Sequence, residues 1–356
     1  MFKTLVVFFF IIAFSSLNTN AHALKGKDAC DKLASSAVSI TKAKIGNPKK
    51  SDYLVITNAG LMVNGEPLCP NIVEKLENQA GASISKGSLI VLQNRPERPM
   101  FIYFYNRHND KALYLEADKG LANFSVSAVK DDFIKMLKNQ QEYDAFAAQK
   151  PFKGNEHRLT MITNLWTKRL MSHDLINFIR LHDHYCPGVT SGYHISKYIL
   201  DEFKLSEGLG YVVIAAPIWC KDDAIQVMLN ATVGKRSMYA LAVSDKDRNC
   251  LVEDAKNIAG IFFRYNSKEK EGDAVVLAYD WDNLRSDAGV EGDTKSIVNA
   301  IKTTEFMVSN KDAHKKYVRV IKKLKLDKGQ SPEDFIAIGI NPFEKVGLWK
   351  EGCVVK

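Results

Sequence analysis

Hydrophobic and polar positions recur along the chain in an order that occurs twice. In each half, a helical pattern that begins at or near a cysteine leads to a short apolar strand, and a second cysteine then precedes another helical pattern. The first set comprises Cys30–Lys44, Tyr53–Thr57, Cys69, Asn71–Gln79 and Phe101–Asn106, and the second comprises Cys186–Phe203, Tyr211–Ala215, Cys220, Asp222–Leu229 and Ile261–Asn266. This recurrence predicts an α+β fold with an internal duplication.

The spacing between matching positions supports the duplication. The first cysteines of the two halves lie 156 positions apart, the second cysteines 151, and the aromatic strands 160. A drift of a few residues fits insertions in loops. The alternative is a chance recurrence of helix and strand patterns, which the paired cysteines disfavour.

Breaks in the pattern divide the chain into four predicted segments. The apolar pattern stops at Gln149–Asn155, where polar residues, Pro and Gly are concentrated. A C-terminal extension begins near Gly292, and its apolar spacing predicts two helices, Thr294–Met307 and Asp312–Leu326. The segments are a signal peptide at 1–23, a first α+β half at 24–150, a second half at 155–291 and C-terminal helices at 292–356.

The first residues have the pattern of a secretory signal. Lys3 precedes an apolar run of ten residues, Leu5–Phe14, and Ala21-His22-Ala23 is typical of a cleavage site. An uncleaved anchor would need a longer apolar core. We therefore expect cleavage after Ala23 and a periplasmic or secreted protein, in which disulfides can form.

Composition narrows the class of protein. The 356 residues are 46% hydrophobic and 25% charged, with a net charge of +8. These values indicate a folded globular protein and exclude disordered, collagen-like and multi-span membrane proteins. No nucleic-acid-binding motif is present. The predicted helix 312–326 is rich in Lys and Arg and could contact a membrane surface or an acidic partner, with a solvated helix face as the alternative.

Histidine and cysteine are concentrated just before the second helix of the duplicated set. Three of the eight histidines lie between positions 173 and 184, and His182, His184 and Cys186 alternate. In an extended stretch, alternating side chains share one face. Imidazole and thiolate are the ligands that zinc and related transition metals prefer. The spacing therefore predicts a metal site, with a chance cluster of structural residues as the alternative.

The residues after this cluster predict the start of a helix. Pro187 suits the first helical position, which places Cys186 at the N-cap. There the helix dipole is expected to lower the pKa of the thiol. Gly188 and Gly192 lie four positions apart on the helix, so another backbone or a ligand could approach closely.

These motifs resemble the FmdE family. The segment His182–Gly188, followed by Gly192, is similar to the family's His-Gly-His-x-Cys-Pro-Gly signature, with Asp183 in place of the usual Gly. Cys220–Gln226 resembles its Cys-x-x-Asp-Ala-(hydrophobic)-Gln segment. Ala231–Lys235 resembles its Ala-Thr-(hydrophobic)-Gly-Lys turn.

The resemblance implies an α+β core with a metal-binding pocket that contains cysteine. Many relatives also carry a C-terminal zinc-finger module with paired Cys-x-x-Cys motifs, and this sequence has no such motif. The family takes its name from formylmethanofuran dehydrogenase, a cytoplasmic enzyme. An exported protein would not serve that enzyme, so the name does not supply a function.

Specific roles follow for the candidate residues. We expect Cys186 to be the central thiolate, either a metal ligand or a nucleophile with His184 as base. Cys220 is expected to be a second sulfur ligand or a disulfide partner of Cys186. Asp223 is either a ligand or a group that orients a ligating histidine. The alternative is an ordinary acidic residue at the start of a helix. The predicted metal ligands are His182, His184, Cys186, Cys220 and Asp223, with one of the two histidines as a base beside the site as the alternative. The predicted cofactor contacts are Gln226, Thr232 and Lys235, with an ordinary turn as the alternative for Thr232 and Lys235.

The first half keeps the cysteines but not the histidines. Cys30 is preceded by Lys25–Ala29, without a His pair, and no Pro-Gly follows it. We interpret this half as a degenerate copy that shapes or covers the pocket. Cys30 and Cys69 could form a disulfide.

Two classes of function remain. The first is an exported protein that binds a transition metal, with zinc expected, or a metal-containing ligand. The second is a metal- or Cys-dependent enzyme of the cell envelope that acts on a small molecule. Disulfide exchange between Cys186 and Cys220 is a weaker third option because Cys-x-x-Cys spacing is missing. The expected partner is a small molecule or metallocofactor and not a nucleic acid, and a homodimer is left open.

Overall fold

Two five-stranded sheets, one in each half of the chain, organise the fold. The structure is a computed structural model, and it describes residues 26–47, 52–60, 62–63, 66–67, 69–93 and 98–353. The predicted signal peptide, 1–23, lies outside the described residues. Helices pack against both sheets, so the predicted α+β class is confirmed.

The described residues of the first half form two helices and seven strands. They are α1 (Lys27–Ile45), β1 (Tyr53–Thr57), β2 (Met62–Val63), β3 (Glu66–Pro67), α2 (Ile72–Ala80), β4 (Leu89–Val91), β5 (Phe101–Asn106), β6 (Lys111–Ala117) and β7 (Phe124–Lys130).

Four helices connect the halves. They are α3 (Phe133–Met136), α4 (Gln140–Ala148), α5 (Glu156–Thr167) and α6 (His173–His182).

The second half repeats the helix–strand order and adds short helices. It contains α7 (Pro187–Glu202), β8 (Gly210–Ala215), α8 (Lys221–Met228), β9 (Met238–Ala240), α9 (Asp245–Cys250), β10 (Ile258–Asn266), β11 (Glu271–Tyr279), α10 (Trp281–Asp287), α11 (Ile297–Ser309), α12 (Ala313–Tyr317), β12 (Val318–Lys325) and α13 (Pro342–Lys345). Short 3₁₀ turns lie at Val233–Lys235, Glu253–Ala255 and Pro332–Phe335.

Both sheets have the same topology. The first has the order β4-β1-β5-β6-β7 and the second the order β9-β8-β10-β11-β12. In the first sheet, β1 pairs in parallel with the short edge strand β4 and antiparallel with β5, the first strand of a hairpin. In the second sheet, β8 pairs in parallel with the short edge strand β9 and antiparallel with β10, again the first strand of a hairpin. The matching topology and the matching cysteine positions support the predicted duplication of the core.

The hairpins of the two sheets agree in detail. Asn106 pairs with Lys111 in the first sheet, and Asn266 pairs with Glu271 in the second. The residue before each returning strand, Asp110 or Lys270, has a left-handed backbone. All of these positions differ by 160, the offset of the aromatic strands.

Disulfides close both ends of the described chain. Cys30 is bonded to Cys69, as the sequence suggested, and their Cα atoms lie 5.4 Å apart. Cys250 is bonded to Cys353, a pairing that the sequence did not indicate. Cys186 and Cys220 are free thiols. Of the two matching cysteine pairs, Cys30 and Cys69 form a disulfide, whereas the thiols of Cys186 and Cys220 are free to bind a ligand or react.

The predicted helix at Asp312–Leu326 is wrong. Only Ala313–Tyr317 is helical, and Val318–Lys325 forms β12, the edge strand that pairs with β11. Lys and Arg on an edge strand discourage pairing with other sheets. The basic residues of this segment therefore do not form an amphipathic helix. The expected membrane or acidic-partner contact through 312–326 stays a prediction. In the described part of the chain, no helix combines the length and apolarity that crossing a membrane requires.

Candidate metal centre

A reversal of the chain between α6 and α7 brings the predicted donors together. His182 is the last residue of α6, and Asp183 follows it with a left-handed backbone, φ +65°. The expected extended stretch is therefore wrong, and the donors converge because the chain turns back. A left-handed backbone favours Gly, which the resembled signature has at this position, and Asp is one of the few other residues that adopt it readily.

Cys186 is the N-cap of α7, as predicted. Its backbone is extended, its sulfur accepts a hydrogen bond from the backbone N–H of Val189 at 3.4 Å, and Pro187 is the first helical residue. Both structural expectations for this helix start hold. The sulfur is thus fixed by the backbone of the helix that it begins.

The glycines of α7 let a second segment approach. A Cβ atom on Gly192 would lie 2.0 Å from the carbonyl oxygen of Lys221, and one on Gly188 would lie 3.0 Å from the Cβ of Cys220. Only glycine leaves room for the backbone of Lys221 at this distance. The close approach places Cys220, just before α8, beside the start of α7.

Four side chains from these segments form one cluster. His182, His184, Cys186 and Cys220 each offer a donor atom, and all four atoms lie within 4.8 Å of one another. Each side chain is partly exposed. A tetrahedral ion with bonds of about 2.0–2.3 Å separates its donors by roughly 3.3–3.8 Å. Small side-chain rotations therefore suffice for these four residues to hold one metal ion.

Hydrogen bonds fix which nitrogen of each imidazole is free. His182 Nδ1 lies 2.6 Å from a carboxylate oxygen of Asp223, so this nitrogen carries the proton and donates it. His184 Nδ1 lies near two acceptors, the His182 carbonyl at 3.1 Å and an Asp183 carboxylate oxygen at 3.0 Å. In neutral rings, the Nε2 atoms of both histidines are then left with lone pairs to donate.

Without a metal, the pKa values of His182, Cys186 and Cys220 shift in different directions. Burial lowers the pKa of His182, but hydrogen bonds with Asp223 and Cys220 outweigh it and raise the value to about 9. The hydrogen bond from Cys186, reinforced by His182, lowers the pKa of Cys220 to about 4. The pKa of Cys186 rises because its thiol donates to Cys220 and is buried. The lowered pKa expected for Cys186 is therefore wrong, although the N–H groups of Gly188 and Val189 do act in the expected direction.

The remaining predicted residues take different places. Asp223 lies outside the group of four and bonds His182, and Gln226 lies 3.4 Å from the other carboxylate oxygen of Asp223. The backbone of Thr232 bonds Ser237. Lys235 is exposed and bonds Asn230 in the same loop. Asp223 therefore contacts the cluster directly and Gln226 contacts Asp223. The hydrogen bonds of Thr232 and Lys235, by contrast, join residues of their own loop.

Two neighbours of the cluster were not anticipated. His157, on α5, lies with its ring centroid 6.3 Å from that of His184, and burial lowers its pKa. Arg158, also on α5, pairs with Asp183 at 2.8 Å and ties α5 to the reversal. No motif marked either residue, because their roles depend on packing between distant segments.

A known protein family matches the part of the chain that holds the four donors. Residues 181–327 match the family model described as FmdE, Molybdenum formylmethanofuran dehydrogenase operon. The match begins just before His182, ends just after β12 and spans less than half of the chain. No curated protein matches the chain. Residues 181–327 are therefore similar to the FmdE family, and the four-donor cluster lies within this matched segment.

Proposed function

We propose that this protein binds one transition-metal ion, zinc, through His182, His184, Cys186 and Cys220, and does so outside the cytoplasm. The observation that carries the proposal is the convergence of four nitrogen and sulfur donors within 4.8 Å. Two imidazoles and two thiols suit zinc, which forms closed tetrahedral sites with such donors. A full set of four protein donors favours a binding or structural role over catalysis.

The supporting residues strengthen the choice of donors. A histidine that ligates a metal usually donates its other N–H to a carboxylate or carbonyl, which orients the ring. His182 does so to Asp223, and His184 does so to Asp183 and to the backbone. When bound, the metal would supply a positive charge that keeps both thiols deprotonated.

Export is supported by the cysteines. Two disulfides, Cys30–Cys69 and Cys250–Cys353, are unusual in a reducing cytosol and common in exported proteins. Together with the signal-like residues 1–23, they favour a periplasmic or secreted location. The thiols of Cys186 and Cys220 would then need a bound metal to stay reduced.

Metal content tests the proposal. The chain 24–356 would be purified without a His-tag and examined by elemental analysis beside His182→Ala and Cys186→Ser. We expect about one ion per chain in the parent protein and at least a fivefold loss in both variants. The exposed His173→Ala is the matched control and should keep its metal. A parent protein without metal, or variants that retain it, would reject the proposal.

The enzyme alternative has less support from the geometry. A nucleophilic Cys186 needs a base, and the imidazole atom in contact with its sulfur is His182 Nε2, at 4.0 Å, and not an atom of the predicted base, His184. His182 is itself bonded to Asp223, as a catalytic base would be. Metal-free protein whose Cys186 is alkylated far faster than Cys220 would favour this alternative.

A further inference from the structure

A cleft beside the metal centre is built from different residues. Its volume is about 290 Å³, and its walls include Trp219 and Lys221, which flank Cys220 in the chain. The rest of the lining comes from Pro217 and Ile218 of the same loop, from α7, from α9 and from the region where β10, β11 and α10 meet. Within the described residues, none of the four metal-site donors lines it. The cleft is therefore a separate feature that shares one loop with the metal centre.

Aromatic rings form one wall of the cleft. The rings of Trp219 and Trp281 have centroids 5.4 Å apart, and those of Trp281 and Tyr279 have centroids 4.8 Å apart. Trp219 is 46% exposed, and its neighbour Ile218 is 55% exposed. Large apolar side chains grouped and exposed in this way gain stability when a ligand covers them. The wall suits a flat, apolar molecule.

Two arginines give the cleft a positive charge. Arg248 and Arg285 line it, and the guanidinium of Arg285 lies 5.4 Å from the centroid of the Trp281 ring. Each has an aspartate partner only at 3.9 Å, on its own helix and highly exposed, Asp245 or Asp282. Such pairs are weak. In the described chain no carboxylate lines the cleft, so both guanidiniums are available for an anion.

The loop that carries Trp219 is held in place by buried polar groups. Lys221 donates to the carbonyl of Pro217 at 2.8 Å and pairs with Asp222, and both side chains of the pair are buried. Asp222 in turn accepts from the N–H of Trp219 at 2.8 Å. Lys221 is neutralised by this pair, which leaves the arginines to recognise charge. A preformed wall lowers the entropy cost of binding.

We propose that this cleft binds a small aromatic carboxylate. The flat ring would stack on the exposed face of Trp219 and contact Trp281, whose ring is inclined at 65° to that of Trp219. The carboxylate would accept hydrogen bonds from Arg248 and Arg285, a pairing that guanidinium groups form with defined geometry. The inference needs neither metal binding nor a particular metal. Ligand pockets commonly combine an apolar wall with a few placed polar groups in this way.

Calorimetric titration with 1-naphthoate tests the proposal. We expect saturable binding to the chain 24–356, with affinity at least tenfold lower in Trp219→Ala and in Arg285→Gln. Trp219 is half exposed, so its removal should leave the fold intact, which circular dichroism would check. Arg236→Gln and Ile338→Ala alter an exposed arginine and an exposed apolar residue outside the lining, and should leave the affinity unchanged within twofold.

Two analogues isolate the parts of the claim. Uncharged 1-naphthalenemethanol tests the arginines, and cyclohexanecarboxylate tests the aromatic wall; each should bind at least tenfold more weakly than 1-naphthoate. Equal binding of either analogue, or no binding of 1-naphthoate at millimolar concentration, would overturn the proposal. Titration of metal-free His184→Ala protein separates it from the metal proposal. Affinity should persist there, and its loss in folded protein would show that the cleft is not a separate site.

Discussion

Asp223 Oδ2 lies 2.6 Å from His182 Nδ1, and this contact joins the start of α8 to the end of α6. Because the carboxylate holds the proton on Nδ1, the opposite nitrogen of the ring is left to face the sulfur of Cys186, at 4.0 Å. The pair therefore sets both the orientation and the tautomer of one predicted metal ligand. In the proposed site, Asp223 orients a metal ligand without itself joining the donor group.

Removing the negative charge of the Asp223 side chain should weaken metal binding without abolishing it. For Asp223→Asn we expect metal affinity to fall by about 10–100-fold, the usual effect of losing a group that orients a ligand. Competition with a chromogenic chelator measures the change. Asp312→Asn, which alters an exposed aspartate just before α12, is the control and should match the parent. A variant with parental affinity would show that His182 needs no orienting partner.

The free cysteines should become a disulfide when the metal is removed. Cys30 and Cys69 occupy the matching positions of the first half and are bonded, which indicates that this pair of positions accommodates a disulfide. In metal-free protein, oxidised glutathione should take two electrons and two protons from Cys186 and Cys220 and leave as two thiols. Thiol titration in denaturant should then fall from two per chain to none. Metal-loaded protein should keep both thiols, and two persistent thiols after metal removal would contradict the prediction.

A side chain at position 192 should not fit, because the backbone of Lys221 lies against Gly192. An added Cβ would lie 2.0 Å from the Lys221 carbonyl, so Gly192→Ala must displace the segment that carries Cys220. We expect a loss of about 1–3 kcal/mol in the free energy of unfolding, the usual cost of overpacking, together with weaker metal binding. Denaturant unfolding measures the first effect. Gly210→Ala, with open space around its Cβ, is the matched control and should retain the metal.

Acid should destabilise the protein through His194. This side chain is buried, and its Nε2 donates to the Met307 carbonyl at 2.9 Å while Nδ1 accepts from the hydroxyl of Tyr279 at 2.7 Å. Burial lowers its pKa from 6.5 to about 4. The unfolded chain therefore binds the proton more readily, and stability present above pH 6.5 is lost as the pH falls toward 4.

The size of this loss can be bounded and tested. A pKa lowered by this much corresponds to up to roughly 3 kcal/mol in the free energy of unfolding. His194→Gln should be less stable at pH 7 and should lose less stability than the parent between pH 6.5 and 4. The exposed His173→Gln should follow the parent. Parallel pH profiles for the parent and His194→Gln would contradict the assignment.

Local patterns predicted the duplicated elements well because those elements bury regular faces. The strands Tyr53–Thr57 and Phe101–Asn106 were predicted with the bounds that the structure shows, and both are fully buried. The N-cap at Cys186 followed from Pro187 alone. In each case a few neighbouring residues determine the conformation, so a single sequence suffices.

Predictions failed where contacts between residues distant in the sequence determine the conformation or the bonding partner. The segment Val318–Lys325 has apolar residues at spacings that suit a helix or a strand, and pairing with β11 settles it as a strand. The alternation of Val318, Arg319 and Val320 was a signal for the strand. The Cys250–Cys353 bond and the contact between His157 and His184 left no local signal, since each joins parts of the chain that meet only in the folded protein.

X-ray absorption at the metal edge tests the central claim most directly. It reports the number and type of atoms bound to the ion, whatever the role of the protein. For protein 24–356 loaded with one zinc, we predict two sulfurs at about 2.3 Å and two nitrogens at about 2.0 Å. Cys220→Ser should show one sulfur fewer, and Cys250→Ser/Cys353→Ser should show the parental shell. A shell without sulfur in the parent protein would contradict the assignment of the ion to His182, His184, Cys186 and Cys220.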